Sequence, residues 1–309
     1  MPATQKSLKT PLRYPWGKSR AVVKLLQFLP DLTQVREFRE PFLGGGSVAL
    51  EITKRYPHIE IWVNDLYEPL YNFWCELQHN GQDLQDAIWS KKNHHPDRDS
   101  ARKLFNESKE LINDQEESNF TKACAFYIVN KCSFSGLTES SSFSPQASES
   151  NFSFRGIERL SEYSELIENW TITNLSYERL LGDEKDVFIY LDPPYDIKDN
   201  LYGKKGGMHK SFDHDAFANW CDGYTSPMLI SYNSNQIVKD RFKEWTVGEF
   251  AHTYTMRSVG CYNTDQATRK ELVLLNYEMW SKTLCRWNRL YWDRSGTWLS
   301  RGTSSGSRT

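Results

Sequence analysis

At 309 residues, 39% hydrophobic and 25% charged, the chain has the size and composition of a globular protein that buries one large core or two smaller ones. A net charge of −2 excludes a globally basic nucleic-acid binder, so contact with a polyanion requires a local groove. Residues 281–309 carry six basic side chains against one acidic, and this surplus of +5 leaves −7 for residues 1–280.

In chain order, the first predicted element is a helix over residues 18–29, KSRAVVKLLQFL. Val22, Leu25, Leu26 and Leu29 recur there at helical spacing, and Pro30 stops the run. In 35-VREFREPFLGGGSVALEI-52 a short extended run meets a Gly-rich turn, and Ser47 is the expected N-cap of a helix reaching about Arg55. Residues 60–65, EIWVND, read as a second strand. The chain therefore opens as helix, strand, turn, helix, strand, the beginning of a parallel α/β sheet. From about residue 67 to 130 the pattern is helical and polar, which predicts a helical region inserted into that sheet. Nine serines between residues 133 and 153 predict a long exposed loop. Strand patterns return at 186-DVFIYLD-192, 227-PMLISYN-233 and 270-KELVLLNY-277, with a helix expected over 213–223. Residues 279–309 show no period and end in Ser, Gly and Thr, which predicts a poorly ordered extension.

No apolar run is long enough to span a bilayer, and MPATQKSLKTPLRYPWGK lacks the apolar core of a signal peptide, so the expected compartment is the cytoplasm. The six cysteines (75, 124, 132, 221, 261 and 285) form no C-x-x-C pair, which predicts reduced, mostly buried thiols and no zinc site. His94-His95 sits in a polar, loop-like stretch and reads as solvated rather than ligating.

Three constellations carry chemistry. Phe42-Leu43-Gly44-Gly45-Gly46 forms a strand-to-helix turn, and Asp65 follows Gly44 by 21 residues at the end of the next strand. In a βαβ unit such glycines admit a ligand to the backbone, and an acid at that distance accepts hydrogen bonds from ribose. Neither a G-x-G-x-x-G nor a Walker A loop is present, so a nucleoside without a pyrophosphate, such as S-adenosylmethionine, fits better. A plain Gly-rich turn is the competing reading.

In the second, Asp192-Pro193-Pro194-Tyr195 ends an apolar strand. An exocyclic aromatic amine is a poor nucleophile because its lone pair is delocalised into the ring. A carboxylate and a rigidly aimed carbonyl accept both amine hydrogens and favour the pyramidal nitrogen. Proline suits this, having a fixed φ and no competing N–H. Tyr195 offers a face on which a base can stack. A turn after a buried strand explains the same four residues. Third, Tyr14-Pro15-Trp16-Gly17-Lys18 places an aromatic ring and a cation where the first predicted helix begins; a site for a ligand carboxylate and an ordinary solvated turn both explain these residues.

Together, Tyr-Pro-x-Gly-Lys-Ser, Pro-Phe-Leu-Gly-Gly-Gly-Ser, Asn-Asp and Leu-Asp-Pro-Pro-Tyr, in this order, resemble the Dam-type (D12 class, alpha group) adenine-specific DNA N6-methyltransferases over residues 11–277. The resemblance implies a Rossmann-like S-adenosylmethionine-dependent methyltransferase sheet with an inserted helical target-recognition domain. Its expected boundaries are 1–75 with 180–278 for the catalytic part and 76–179 for the insertion. It implies donor contacts from Tyr14, Lys18, Asp65 and Asp192, a pocket shaped by Phe42, Gly44 and Gly46, and a target adenine held by Asp192, Pro193, Pro194 and Tyr195. Where the family has glycine this chain has Trp16, whose ring either crowds the donor or points to solvent.

For DNA phosphates the candidates are Lys198, Lys204, Lys205 and Lys210 in a Gly-rich basic loop, with Lys131 and Arg155 flanking the Ser-rich stretch. The expected protein is a monomer that acts on double-stranded DNA without a metal or a membrane; a partner restriction endonuclease is left open. The alternatives are an amino-methyltransferase acting on RNA or protein glutamine, and a catalytically impaired DNA-binding relative.

Overall fold

A computed structural model describes residues 9–14, 18, 21–136, 141–195, 212–252 and 269–278. Seven strands pair into one sheet: β1 (Glu37–Glu40), β2 (Glu60–Asn64), β3 (Thr171–Thr173), β4 (Val187–Leu191), β5 (Met228–Asn233), β6 (Thr246–His252) and β7 (Arg269–Leu275), in the order β3-β2-β1-β4-β5-β7-β6. The first five run parallel, and β7 lies antiparallel between β5 and β6. Every residue of β4 (VFIYL) is buried, as is all of β5 but its last. Strands covered on both faces need continuous apolar runs, which is why these two are the plainest in the sequence.

The ten α-helices among the described residues are α1 (Val22–Leu25), α2 (Ser47–Arg55), α3 (Glu68–Asn93), α4 (Arg98–Leu111), α5 (Asn119–Cys132), α6 (Pro145–Ser150), α7 (Phe154–Ile157), α8 (Leu160–Leu166), α9 (His214–Asp222) and α10 (Gln236–Arg241). Six of them, α3 to α8, lie between β2 and β3 and form the helical insertion. Its centre is α5, whose residues 123–132 are all buried; a helix covered on all sides needs no amphipathic stripe. Helix α3 kinks at Asn80, where φ is −127°, and next to it Gly81 lets α8 approach: a Cβ there would lie 2.2 Å from Ser164 Cβ. Phe73, Trp74 and Tyr127 are fully buried in this region, each contributing roughly 1.5–3 kcal/mol by leaving water.

Several expectations are corrected. The helix expected over 18–29 is only Val22–Leu25, because Phe28 leaves it to pack on Phe250 of β6, with ring centroids 6.1 Å apart. Gly248 makes that contact possible, since a Cβ there would lie 2.4 Å from the Phe28 ring. Gly46, in the left-handed conformation, caps α2, and Ser47 is its first helical residue. The Ser-rich stretch is not one exposed loop among its described residues. Ser133 pairs with Phe143, Ser144 and Ser153 cap α6 and α7, and Ser133, Ser141 and Ser148 are buried. Serine hydroxyls are consumed there in satisfying backbone N–H groups. His94 and His95 follow the last residue of α3 in a turn, His94 exposed, their Nδ1 atoms 2.7 and 2.6 Å from the Ser90 and Lys91 carbonyls. Strand β3 falls within 76–179 yet pairs with β2 in the sheet. Trp16, the basic loop with Lys198, Lys204, Lys205 and Lys210, and residues 279–309 lie outside the described residues.

Candidate active site

The parallel strands deliver their C-terminal ends to one edge of the sheet. Strand order reverses between β1, which leads outward through β2 and β3, and β4, which leads the other way through β5. The crevice at such a reversal is the ligand-binding position of open α/β sheets. Glu40, Asp65, Asp192 and Asn233 end or follow β1, β2, β4 and β5 there, and Glu271 enters from antiparallel β7 opposite Asn233.

At the Gly-rich turn, Gly44 and Gly46 have φ of 50° and 67°, the left-handed region that favours glycine. A Cβ on Gly44 would lie 2.9 Å from Tyr14 Cε1, and one on Gly46 would lie 2.9 Å from the Trp74 ring. Trp74 Nε1 donates to the Gly44 carbonyl at 3.1 Å, so the buried α3 clamps the turn from below. Half-buried Asp65 organises the opposite side: Oδ2 accepts from Gly44 N–H at 2.9 Å and Oδ1 from Tyr67 N–H at 3.0 Å. A carboxylate has about four acceptor positions, so two remain for a diol. Burial pushes the Asp65 carboxyl up to about 6, against the pull of these two N–H groups. Phe42 joins Tyr177, Phe212 and Phe217 in an aromatic cluster with centroids 5.4–5.9 Å apart.

At the second turn, Lys18 is buried and ties two carboxylates together, 3.0 Å from Asp192 Oδ1 and 2.7 Å from Glu271 Oε1. Ser231 Oγ, itself 2.8 Å from the Tyr190 hydroxyl, also donates to Asp192 Oδ1 at 3.0 Å. Both contacts fall on the same oxygen, so Asp192 Oδ2 accepts no hydrogen bond among the described residues. Burial raises the Asp192 carboxyl above its ordinary value, and Lys18 draws it back. Tyr195 is buried: its hydroxyl donates to Glu271 at 2.5 Å, Lys18 lies 4.6 Å from its ring centroid, and its ring stacks on Tyr232 at 5.8 Å. Pro193 is buried and Pro194 half-buried.

Four residues of this site were not singled out from sequence. Fully buried Glu271 reads as one polar letter in an apolar strand, and Ser231 and Tyr190 as ordinary strand residues. Glu40 accepts the Ala49 N–H at 2.8 Å; burial raises its carboxyl well above the usual range, and nearby Asp192 and Asp65 add to the rise. Glu40 thus ends β1 at the same sheet edge that carries Asp65 after β2 and Asp192 after β4. The signal available in sequence was a charged residue at the end of each apolar strand, the pattern already read for Asp65 and Asp192.

The structure places the two DNA candidates it describes in the insertion, Lys131 buried in α5 and Arg155 in α7. Among the described residues no cluster of three or more His, Cys, Asp or Glu is arranged to hold a metal, and no helix is long and apolar enough to cross a membrane.

The sequence profile of the D12 class N6 adenine-specific DNA methyltransferases matches residues 14–256. The chain belongs to this family. Several proteins resemble the chain at modest identity. The Type II methyltransferase M1.LlaDCHI of Lactococcus lactis subsp. cremoris is 20% identical over 277 residues, covering 84% of this chain and 93% of the relative. The Type II methyltransferase M.MjaIII of Methanocaldococcus jannaschii is 24% identical over 203 residues, covering 60% of this chain and 68% of the relative. A DNA adenine methylase of Vibrio cholerae is 25% identical over 189 residues, covering 60% of this chain and 64% of the relative. Membership in the D12 class implies S-adenosylmethionine as methyl donor. The bare backbone of Gly44 under Tyr14 and the spare acceptor positions of Asp65 fit the nucleoside half of that molecule.

Proposed function

We propose that the protein is a Dam-type (alpha group) site-specific DNA methyltransferase that acts on N6 of an adenine flipped out of duplex DNA. The observation that carries this reading is Asp192 Oδ2, which accepts no hydrogen bond among the described residues, on a turn beside the Gly44–Asp65 pocket at the switch point of the sheet. S-adenosylmethionine, when bound, supplies an electrophilic methyl group on a sulfonium, so the chain needs neither a metal nor a nucleophile of its own.

Each residue then has a defined task. Tyr14, Phe42, Gly44, Gly46 and Asp65 shape the donor pocket, with Asp65 receiving the ribose hydroxyls. Lys18 fixes Asp192 Oδ1 so that Oδ2 faces the amine, and the Pro193 carbonyl accepts its second hydrogen. Both acceptors would hold the nitrogen pyramidal with its lone pair turned to the donor side of the crevice; methyl transfer would release the donor as its thioether, S-adenosylhomocysteine, and the amine proton would leave through the Asp192 side. Tyr195, anchored by Glu271 and Tyr232, forms a wall of the adenine pocket with Pro194. Helices α3 to α8 serve target recognition, with Lys131 and Arg155 toward DNA and the loop holding Lys198, Lys204, Lys205 and Lys210 contacting phosphates. The protein works as a monomer in the cytoplasm.

Incubating the purified protein with labelled donor and unmethylated duplex DNA tests the reading. Label should appear on adenine N6, and Asp192→Ala should abolish transfer while leaving the circular dichroism spectrum unchanged. Unlabelled DNA, or label in RNA or protein glutamine instead, refutes the reading.

A further inference from the structure

The Asp192 carboxylate is gripped from within the sheet as well as by Lys18. Strand β5 reads MLISYN, and in a strand covered on both faces a serine is a cost unless its hydroxyl is paired. Leu191 of β4 stands opposite Ile230 of β5, so the next position along each strand brings Ser231 beside Asp192, on the other face of the sheet. Tyr190, two residues before Asp192, lies on that same face. Ser231 and Tyr190 are both fully buried.

Their hydrogen bonds run one way. A hydroxyl has a single hydrogen, and that of Ser231 goes to Asp192 Oδ1 at 3.0 Å. Across the 2.8 Å contact between the two hydroxyls, Tyr190 is therefore the donor. Among the described residues the Tyr190 hydroxyl has no second partner, so the chain from Tyr190 through Ser231 holds Asp192 and offers a proton no exit.

This second donor does what Lys18 alone could not. Rotation about the bond that carries a carboxylate group is loosely restrained and nearly two-fold, and an ammonium presents three rotatable donors. A lysine by itself lets the two oxygens trade places. Lys18 at 3.0 Å and Ser231 instead fill both acceptor positions of Oδ1, one from ahead of α1 and one from the middle of the sheet. Oδ2 is the oxygen left to accept.

We propose that Ser231 and Tyr190 are positioning residues for methyl transfer, selecting which Asp192 oxygen receives the amine and keeping that carboxylate ionised. The inference rests on the function proposed above and deepens it; both residues act through Asp192 rather than on the substrate. Titration supplies a readout that packing alone would not move. The charged and titratable groups around Asp192 are Lys18, Glu271 of β7, Glu40 of β1 and Tyr190 of β4. Burial and Glu271 raise the Asp192 carboxyl, while Lys18 and Ser231 draw it down. Activity that needs ionised Asp192 is lost as pH falls through its range, so deleting the Ser231 hydroxyl moves that acid limb to higher pH.

The experiment compares methyl transfer into duplex DNA by the full chain, Ser231→Ala, Tyr190→Phe and the double variant, reading kcat, KM, the pH profile and the thermal midpoint. Ser231→Ala should lower kcat about tenfold and shift the acid limb upward, with KM for donor and DNA unchanged. It also leaves the buried Tyr190 hydroxyl unpaired, so its midpoint should fall, and adding Tyr190→Phe should restore that midpoint by removing the orphan. Activity and acid limb should stay where Ser231→Ala left them. Tyr190→Phe alone should lower kcat less, and should have no effect on kcat once Ser231 is replaced. A double variant that regains activity together with stability overturns the proposal, as does Ser231→Ala with kcat and limb unaltered. Should Ser231→Ala fail to fold, the double variant, which leaves no hydroxyl unpaired, carries the same test of kcat and limb. If the unaltered chain labels no DNA, the function proposed above fails, and the Asp192 carboxyl is followed against pH by NMR of labelled carboxyl carbons, assigned by the signal lost in Asp192→Asn. Ionisation moved to higher pH in Ser231→Ala retains the hold on Asp192, and an unmoved curve overturns it.

Discussion

Asp65 shows how one side chain couples local geometry to pH. Its carboxyl, raised from 3.8 to about 6, binds its proton more tightly in the folded chain than in the unfolded one. Its contribution to stability is therefore full below pH 3.8 and is lost as pH rises through about 6. Ligand binding runs the opposite way, because the ionised carboxylate is the better acceptor for ribose hydroxyls. Calorimetric affinity for S-adenosylmethionine should fall as pH drops from 8 through 6, and Asp65→Asn should bind weakly with a flat profile over that range. Gly44→Ala belongs at the same scale. Its Cβ would meet Tyr14 at 2.9 Å from a left-handed backbone, so it should cost about 1–2 kcal/mol of stability in denaturant titration and lower donor affinity at least tenfold. At Lys18 charge outweighs shape. Lys18→Met leaves fully buried Glu271 without its ammonium, and urea unfolding should show a loss of about 3–5 kcal/mol. The glycine, the two aspartates and Lys18 all stood out as sequence letters. Glu271 did not, since a glutamate at the start of an apolar strand gives no sign that its carboxylate meets a lysine 253 residues earlier.

Among the elements, burial decided what periodicity could not. Strands β4 and β5 were legible because double coverage makes them uniformly apolar, while β3 and β6 were not. Three half-exposed threonine and isoleucine positions at the sheet edge carry no pattern, and Gly248 interrupts β6. Helix α1 stopped early for a tertiary reason, the pull of Phe28 onto β6. Serine misled for a chemical one, since its hydroxyl serves helix caps as readily as exposed loops. The contact of α3 with α8 gives a test at this scale. Gly81→Ala should destabilise by about 1–3 kcal/mol in thermal or urea unfolding, because its Cβ falls 2.2 Å from Ser164, and Ser164→Gly in the same chain should recover most of the loss. Full recovery without the second change would show that α8 moves freely.

For the molecule as a whole, the sequence by itself determined an α/β sheet with a helical insertion, the two turns that carry chemistry, and the order of motifs that the D12 class profile matches. These are local properties: an apolar run, a glycine where φ must be positive, a proline where a strand must stop. Only the tertiary structure decided where they meet. Placing β1 beside β4 brings Gly44 and Asp65 to the same crevice as Asp192, although β2, seven α-helices and β3 intervene in the chain. It also decided which Asp192 oxygen is spoken for and that Glu271 answers Lys18. The physical reason is that pairing of charges and acceptors depends on distance through space. A sheet whose strand order reverses at its middle brings together residues that the chain keeps more than a hundred positions apart.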